Sequence, residues 1–170
     1  MSTFKTPLLT YTVLQELQDT DFQPRHFPDT GPLERLAFIE PTALALWKQN
    51  PDVLLLDCTY KTNRFGMPLL NICAITGGNI VVQIGLAFIR QERERDYNWV
   101  LEFLRDIMAR ESIQEPLSIV TDREIALIKA LRTHFPSSRH LLCRWHVNIN
   151  VLAKTKRFFL ALVKVGERVV

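Results

Sequence analysis

Apolar residues along this chain fall into short runs bounded by charged or turn-forming residues. Three runs follow closely: DVLLLDCTY (52–60), PLLNICAIT (68–76) and IVVQIGLAFI (80–89), joined by KTNRFGM and GGN. Runs of this kind predict strands, buried on both faces where the apolar stretch is unbroken. The short connections predict an antiparallel meander, and the glycines of GGN suit a tight turn because glycine accepts positive φ. The period then changes. Tyr97, Val100, Leu101, Leu104, Ile107 and Met108 recur at helical spacing, with Asp96 placed to cap. PLSIVTD (116–122) predicts a fourth strand, and a helix from about 124 to 135 carries Ile125, Ile128, Leu131 and Phe135 on one face. SRHLLCRWHV (138–147) predicts a fifth short strand and its exit, and Val147, Val151, Phe158 and Leu162 form a stripe on a last helix.

Upstream, residues 1–32 read as an irregular lead-in broken by Pro24, Pro28 and DTGP. LERLAFIEP (33–41) predicts a short strand or approach segment, and TALALWKQNPD (42–52) a short helix capped by Thr42 and ended by Pro51. The order β-β-β-α-β-α-β-α predicts an α/β fold with a mixed sheet of about five strands: the antiparallel meander, then two parallel strands flanked by helices. A helical crossover returning beside the first of these strands sets Asp57 and Asp122 on neighbouring strands.

Both aspartates end apolar runs, LLLD and SIVTD. A carboxylate stripped of water there needs compensation. Two close carboxylates favour a shared proton or a divalent cation, and Mg²⁺ suits oxygen ligands, retained waters and phosphate. Two such ions can serve phosphodiester cleavage. Simpler readings stand beside this one: Asp122 as a helix N-cap, and Asp57 paired with Lys61 or Arg64.

Composition sets bounds without choosing among these. With 170 residues, 47% hydrophobic and 23% charged, the chain resembles an ordinary globular domain. The start lacks a signal-peptide pattern, and VLLL and FFLALV are too short to span a bilayer. Cys58, Cys73 and Cys143 are odd in number and widely spaced, pointing to a reducing intracellular compartment. Charge is uneven. Residues 1–122 hold 11 Lys/Arg against 16 Asp/Glu, net −5, while residues 123–170 hold 10 against 2, net +8. A basic terminal third suggests a polyanion partner, or else balancing acids elsewhere in a longer chain.

DCTYKTNRFGMPLL, TDREIALIKAL and FPSSRHLLCRWHVNIN, with GLAFIRQERERDYNWVLEFL between the first two, resemble in order the transposase domain of Mutator-like elements and the related domesticated far-red-response type regulators. The resemblance covers about residues 33–158, with 1–32 as lead-in and 159–170 as a divergent tail. It implies a ribonuclease H-like fold, a nuclear location, oligomers with other transposase chains, and DNA strand transfer with Mg²⁺ or Mn²⁺ held by an Asp-Asp-Glu triad. Asp57 matches the first acid and Asp122 the second, each a metal ligand. Thr59, Tyr60, Lys61, Thr62 and Asn63 match the polar segment after the first acid, with Lys61 capping the sheet edge or touching DNA. Cys143 and His146 match the family's C-x-x-H element. That spacing supplies at most half of a zinc site, with His140 able to join only if the backbone bends, so a structural role without zinc is expected. Trp145 is expected in the core, with base stacking as the lesser reading. Lys61, Arg144, Lys154 and Arg157 are the candidate DNA contacts.

The family's third acid, a glutamate, lies well beyond the C-x-x-H element. After Glu124 the only acidic residue is Glu167. A helix of about 17 residues after His146 would carry Glu167 roughly 25 Å away, near the opposite edge. The expectation is therefore a transposase catalytic core lacking its third carboxylate and inactive alone. The rival reading is a non-enzymatic DNA-binding or transcription-regulating domain whose basic region runs from Arg123 to Arg168. A third is a plain nuclease drawing a carboxylate from Glu94 or Asp96.

Overall fold

A computed structural model describes residues 24–27, 33–149 and 151–155. Its elements, in order, are β1 (Arg25–Phe27), β2 (Arg35–Ile39), α1 (Pro41–Gln49), β3 (Val53–Thr59), β4 (Leu69–Ile75), β5 (Val81–Phe88), α2 (Glu94–Glu111), β6 (Ser118–Thr121), α3 (Ile125–His134) and β7 (Arg139–Leu142). Residues 144–149 and 151–155 are helical beyond β7. One sheet holds the strands in the order β1-β2-β5-β4-β3-β6-β7. The pairs from β1 through β3 are antiparallel, and β3-β6 and β6-β7 are parallel. The five strands β5-β4-β3-β6-β7 are the meander followed by two parallel strands, and this is the ribonuclease H-like arrangement the sequence led us to expect.

Two strands extend the sheet past those five. The segment 35–39 pairs with β5 and carries β1 beyond it, so residues 25–27 are a strand inside the expected irregular lead-in. A three-residue strand has too little pattern to read; its partner supplies the order. The remaining lead-in, the tail 159–170 and the stripe residues Phe158 and Leu162 lie outside the described residues.

Strand β3 sorts its side chains by alternation. Leu54 and Leu56 are fully buried, as are Leu70 and Ile72 of β4, Ile84 of β5 and Ile119 of β6. These meet Tyr97, Val100, Leu101 and Leu104 of α2, which with Ile107 and Met108 form the buried stripe the spacing predicted. Burying one such leucine contributes about 1.5–3 kcal/mol. Leu55 and Asp57 of β3, Asn71 of β4 and Val120 of β6 point to the other face and are only partly buried.

Several local expectations change. Asp96 is no cap: Arg93 occupies the N-cap of α2 without a side-chain bond. Asp96 lies inside the helix, fully buried, and accepts a hydrogen bond from Arg35 Nε at 2.6 Å. Glu40, not Thr42, caps α1 by accepting from the Ala43 amide. Helix α3 buries Leu127, Ala130 and Leu131, while Ile125 at its first position is 60% exposed. In the GGN turn it is Asn79 that takes the left-handed backbone, φ 59, a conformation asparagine tolerates through local hydrogen bonding.

Candidate functional site

Leu56 stands opposite Thr121 in the parallel β3-β6 pair, so Asp57 and Asp122 come next in register, side by side. Asp122 has just left its strand. Its Oδ1 accepts from the Glu124 amide at 3.0 Å, a turn that leads into α3, while Glu124 itself caps that helix by accepting from Ala126. Asp122 is therefore not the N-cap of α3; its Oδ1 organises the turn that leads into the helix.

The third element arrives from β7. Thr121 pairs with Leu142, and the Cys143 amide extends that ladder to the Thr121 carbonyl at 2.7 Å. The chain then enters its last helix, with the Val147 amide bonding to Cys143 O at 3.1 Å. One turn on, His146 Nε2 lies 3.4 Å from Asp57 Oδ1. Spacing alone gave no sign of this contact, because the partners are far apart in sequence and meet only through the β6-β7 pairing. Asp57 therefore pairs with His146, while Lys61 and Arg64, the partners of the simpler alternative reading, form no ion pair with it among the described residues. Lys61 sits exposed in a left-handed turn, φ 58, and the Arg64 guanidinium lies 4.8 Å over the Phe65 ring.

Asp57, Asp122, Cys143, Trp145 and His146 line one cleft of about 250 Å³ floored by Leu55, Leu56 and Val120. Burial raises the Asp57 carboxyl above the usual carboxylate range; His146 opposes the rise and the Asp122 charge adds to it. Beside it, the Asn71 amide donates to Thr59 Oγ1 at 2.8 Å and Gln83 donates to Asn71 at 3.0 Å. Asn63 shapes the loop after β3, accepting from the Phe65 and Met67 amides and donating to Met67 O. The polar segment after the first acid is thus in large part a built turn.

Two hard oxygen donors lining one cleft fit Mg²⁺ or Mn²⁺, since Mg²⁺ takes one or two carboxylates and completes its shell with water and phosphate. Among the described residues no three His, Cys, Asp or Glu side chains gather as a ready-made metal centre. Cys143 and His146 share the cleft, but His140, on β7, does not line it. Asp96 is committed to Arg35, and neither it nor Glu94 reaches the cleft. Glu167 and Arg157 lie outside the described residues. Trp145 departs from expectation: it is 63% exposed at the cleft, because the last helix carries it away from the sheet. Arg144, within the helical residues 144–149, and Lys154, within 151–155, are exposed, and Lys154 lines an adjoining cavity.

Further along the surface, the Glu92 carboxylate accepts from Tyr60 and Tyr97, and Tyr97 OH lies 3.5 Å from Cys58 Sγ. Burial pushes Cys58 and Tyr97 up, and the Glu92 bond does so for Tyr60, so all three hold their protons at neutral pH. This cluster clamps the end of β3 to the start of α2, and sequence reading had not linked its members.

Comparison with known proteins places this geometry. The MULE transposase domain model matches residues 53–150, more than half of the chain and all of the cleft. The PKS-NRPS hybrid synthetase cheA of Chaetomium globosum is 32% identical over 108 residues, 64% of this chain and 2% of its own length. Protein FAR1-RELATED SEQUENCE 5 of Arabidopsis thaliana is 28% identical over 121 residues, 71% of this chain and 15% of its own. The chain thus spans a small part of the curated relatives it matches. Among solved structures, the HTLV-2 integrase catalytic core domain in complex with magnesium aligns with a TM-score of 0.33 and 14% identity, over 65% of this chain and 72% of that one.

Proposed function

From the premise that this chain belongs to the MULE transposase domain family, we propose that it is a DNA-engaging core whose Asp57 and Asp122 hold Mg²⁺ or Mn²⁺ against a DNA phosphodiester. When bound, such a cation neutralises phosphate charge and supplies a water-derived nucleophile. The protein's own part is to present one carboxylate on β3 and another just past the end of its parallel neighbour β6, and to hold Asp57 in place through His146. Lys61, Arg144, Lys154 and Arg157 supply cations for the DNA backbone, and the work is done in the nucleus, in assemblies with other transposase chains. Cys143 orders the strand-to-helix exit without zinc. The parallel β3-β6 register, which brings both carboxylates into one cleft, is the observation that carries this reading.

With two acids at the cleft and no third among the described residues, the chain alone binds cation and DNA but does not complete strand transfer. Calorimetric titration with Mn²⁺ and a plasmid-nicking assay test the two halves. Binding of Mn²⁺ that Asp57→Asn removes, without nicking, is the expected result. Robust Mg²⁺-dependent cleavage abolished by Asp57→Asn overturns the inactivity, and absent Mn²⁺ binding at millimolar concentration overturns the metal site. The net +8 of residues 123–170 favours a second reading, a regulatory domain that binds DNA by charge without a cation. DNA affinity that is steep in salt and indifferent to EDTA would select it.

A further inference from the structure

The three tryptophans of this chain fall into two groups. Trp47 is 0% and Trp99 8% exposed, both inside the core, whereas Trp145 is 63% exposed. A large aromatic left in water at the rim of a cleft invites a partner for its face. Trp145 lines the cleft that contains Asp57 and Asp122, and the His146 ring meets it edge-on at 4.8 Å and 78°. That T-shaped contact braces the indole without stacking parallel to it. A second cavity of about 260 Å³ shares Asp122, Cys143 and His146 with the first and is bounded by Arg123 and Lys154. Across two adjoining cavities, then, stand an exposed indole and two carboxylates in the first and two cations in the second.

We infer that Trp145 is a stacking platform for an unpaired DNA base, with that strand's phosphate lying toward Arg123 and Lys154. This rests on the proposed reading that the cleft takes DNA, and it specifies the form of the DNA. In an intact duplex each base face is covered by its neighbour, so an indole can stack only on a base that is single-stranded, frayed or extruded. The charges fit this placement. Two carboxylates repel a backbone phosphate, and the guanidinium and ammonium one cavity away offset that repulsion while the neutral base meets the indole. The substrate is therefore a strand opened at the cleft, not a closed duplex.

The experiment uses the intrinsic fluorescence of the full chain. Because Trp47 and Trp99 are buried, acrylamide quenching reads mainly Trp145. A single-stranded oligonucleotide and its blunt duplex are titrated at low salt against wild type, Trp145→Ala and Trp145→Phe. Saturating single strand is expected to shield the indole from acrylamide. Trp145→Ala weakens single-strand binding about 5- to 150-fold, the loss of one stacked base, and changes duplex affinity by less than about twofold. Trp145→Phe retains most of the affinity. Single-strand binding that leaves quenching unchanged, or an alanine variant that weakens both forms equally, overturns the stacking role while leaving the DNA reading intact. If neither the single strand nor the duplex binds, both the stacking role and the DNA reading are overturned.

Discussion

Asp96→Ala removes one half of the ion pair that joins β2 to α2. The Asp96 side chain is 0% exposed and that of Arg35 10%, with Nε 2.6 Å from Oδ1. The truncation leaves a guanidinium almost cut off from water, with the Phe27 ring 4.8 Å away as its remaining described partner. Breaking a buried pair on one side costs about 3–5 kcal/mol. The residual exposure of Arg35 lets some water reach the orphan and argues for the lower end. In a chain of this size each kcal/mol moves Tm by about 2–4 °C, so the variant should melt roughly 6–12 °C lower. Urea unfolding of wild type, Asp96→Ala, Arg35→Met and the double variant closes the cycle. If the cost is an orphaned charge, Arg35→Met in the Asp96→Ala background recovers part of the loss, since nothing charged remains buried. Two outcomes refute the reasoning: a loss below about 1 kcal/mol for Asp96→Ala, or strictly additive single losses. Folded Asp96→Ala should also keep wild-type Mn²⁺ affinity, because this carboxylate lies outside the cleft.

Gly85→Ala places a methyl 2.6 Å from Ile39 Cδ1 and 2.7 Å from the Phe38 carbonyl, and the carbonyl belongs to a paired strand that cannot move aside. A loss of about 1–3 kcal/mol by urea unfolding is expected, and an unchanged midpoint would show that β2 is not held against β5. Asp57→Asn tests the electrostatics of the cleft in EDTA. Burial, reinforced by Asp122, raises the folded-state pKa of Asp57, so the native state binds its proton more tightly than the unfolded chain. Wild-type stability from this group is then greatest below the unfolded value of about 4 and falls as pH rises through the raised folded value. The asparagine variant should melt above wild type at pH 7.5, with the difference shrinking toward pH 4; a variant less stable at pH 7.5 would contradict the cause assigned.

What the sequence made legible follows from how local each cause is. VLLL and SIV are strands because of their own residues, and a helical crossover between them makes them parallel, so the adjacency of Asp57 and Asp122 could be read in advance. His146 meets Asp57 only because β7 pairs with β6 and the helix turns at Cys143, two placements that no spacing encodes. Trp145 illustrates the limit of apolar counting: Leu141 and Leu142, the leucines nearest it in sequence, are themselves about half exposed on the edge strand β7, and the indole beyond them stays in water. Asp96 had the position of a cap, yet the partner that buries it, Arg35, comes from 61 residues earlier.

Strand β3 shows why the site costs the fold little. Its inward residues, Leu54 and Leu56, are fully buried under α2, while Asp57 uses the alternate face, where Asn71 and Thr59 also lie. A one-residue slip of β3 would bring Asp57 beneath α2 and turn the leucines outward, so the hydrophobic register that stabilises the sheet also fixes where the carboxylate points. The same register, through the parallel partner β6, fixes Asp122. Strain from placing two acids together is confined to the open face, and the opposite face is held by apolar burial and the Arg35–Asp96 pair. Substitutions on the two faces of β3 should therefore differ in sign, with Leu54 changes lowering stability and Asp57→Asn raising it at pH 7.5 while altering what the cleft binds.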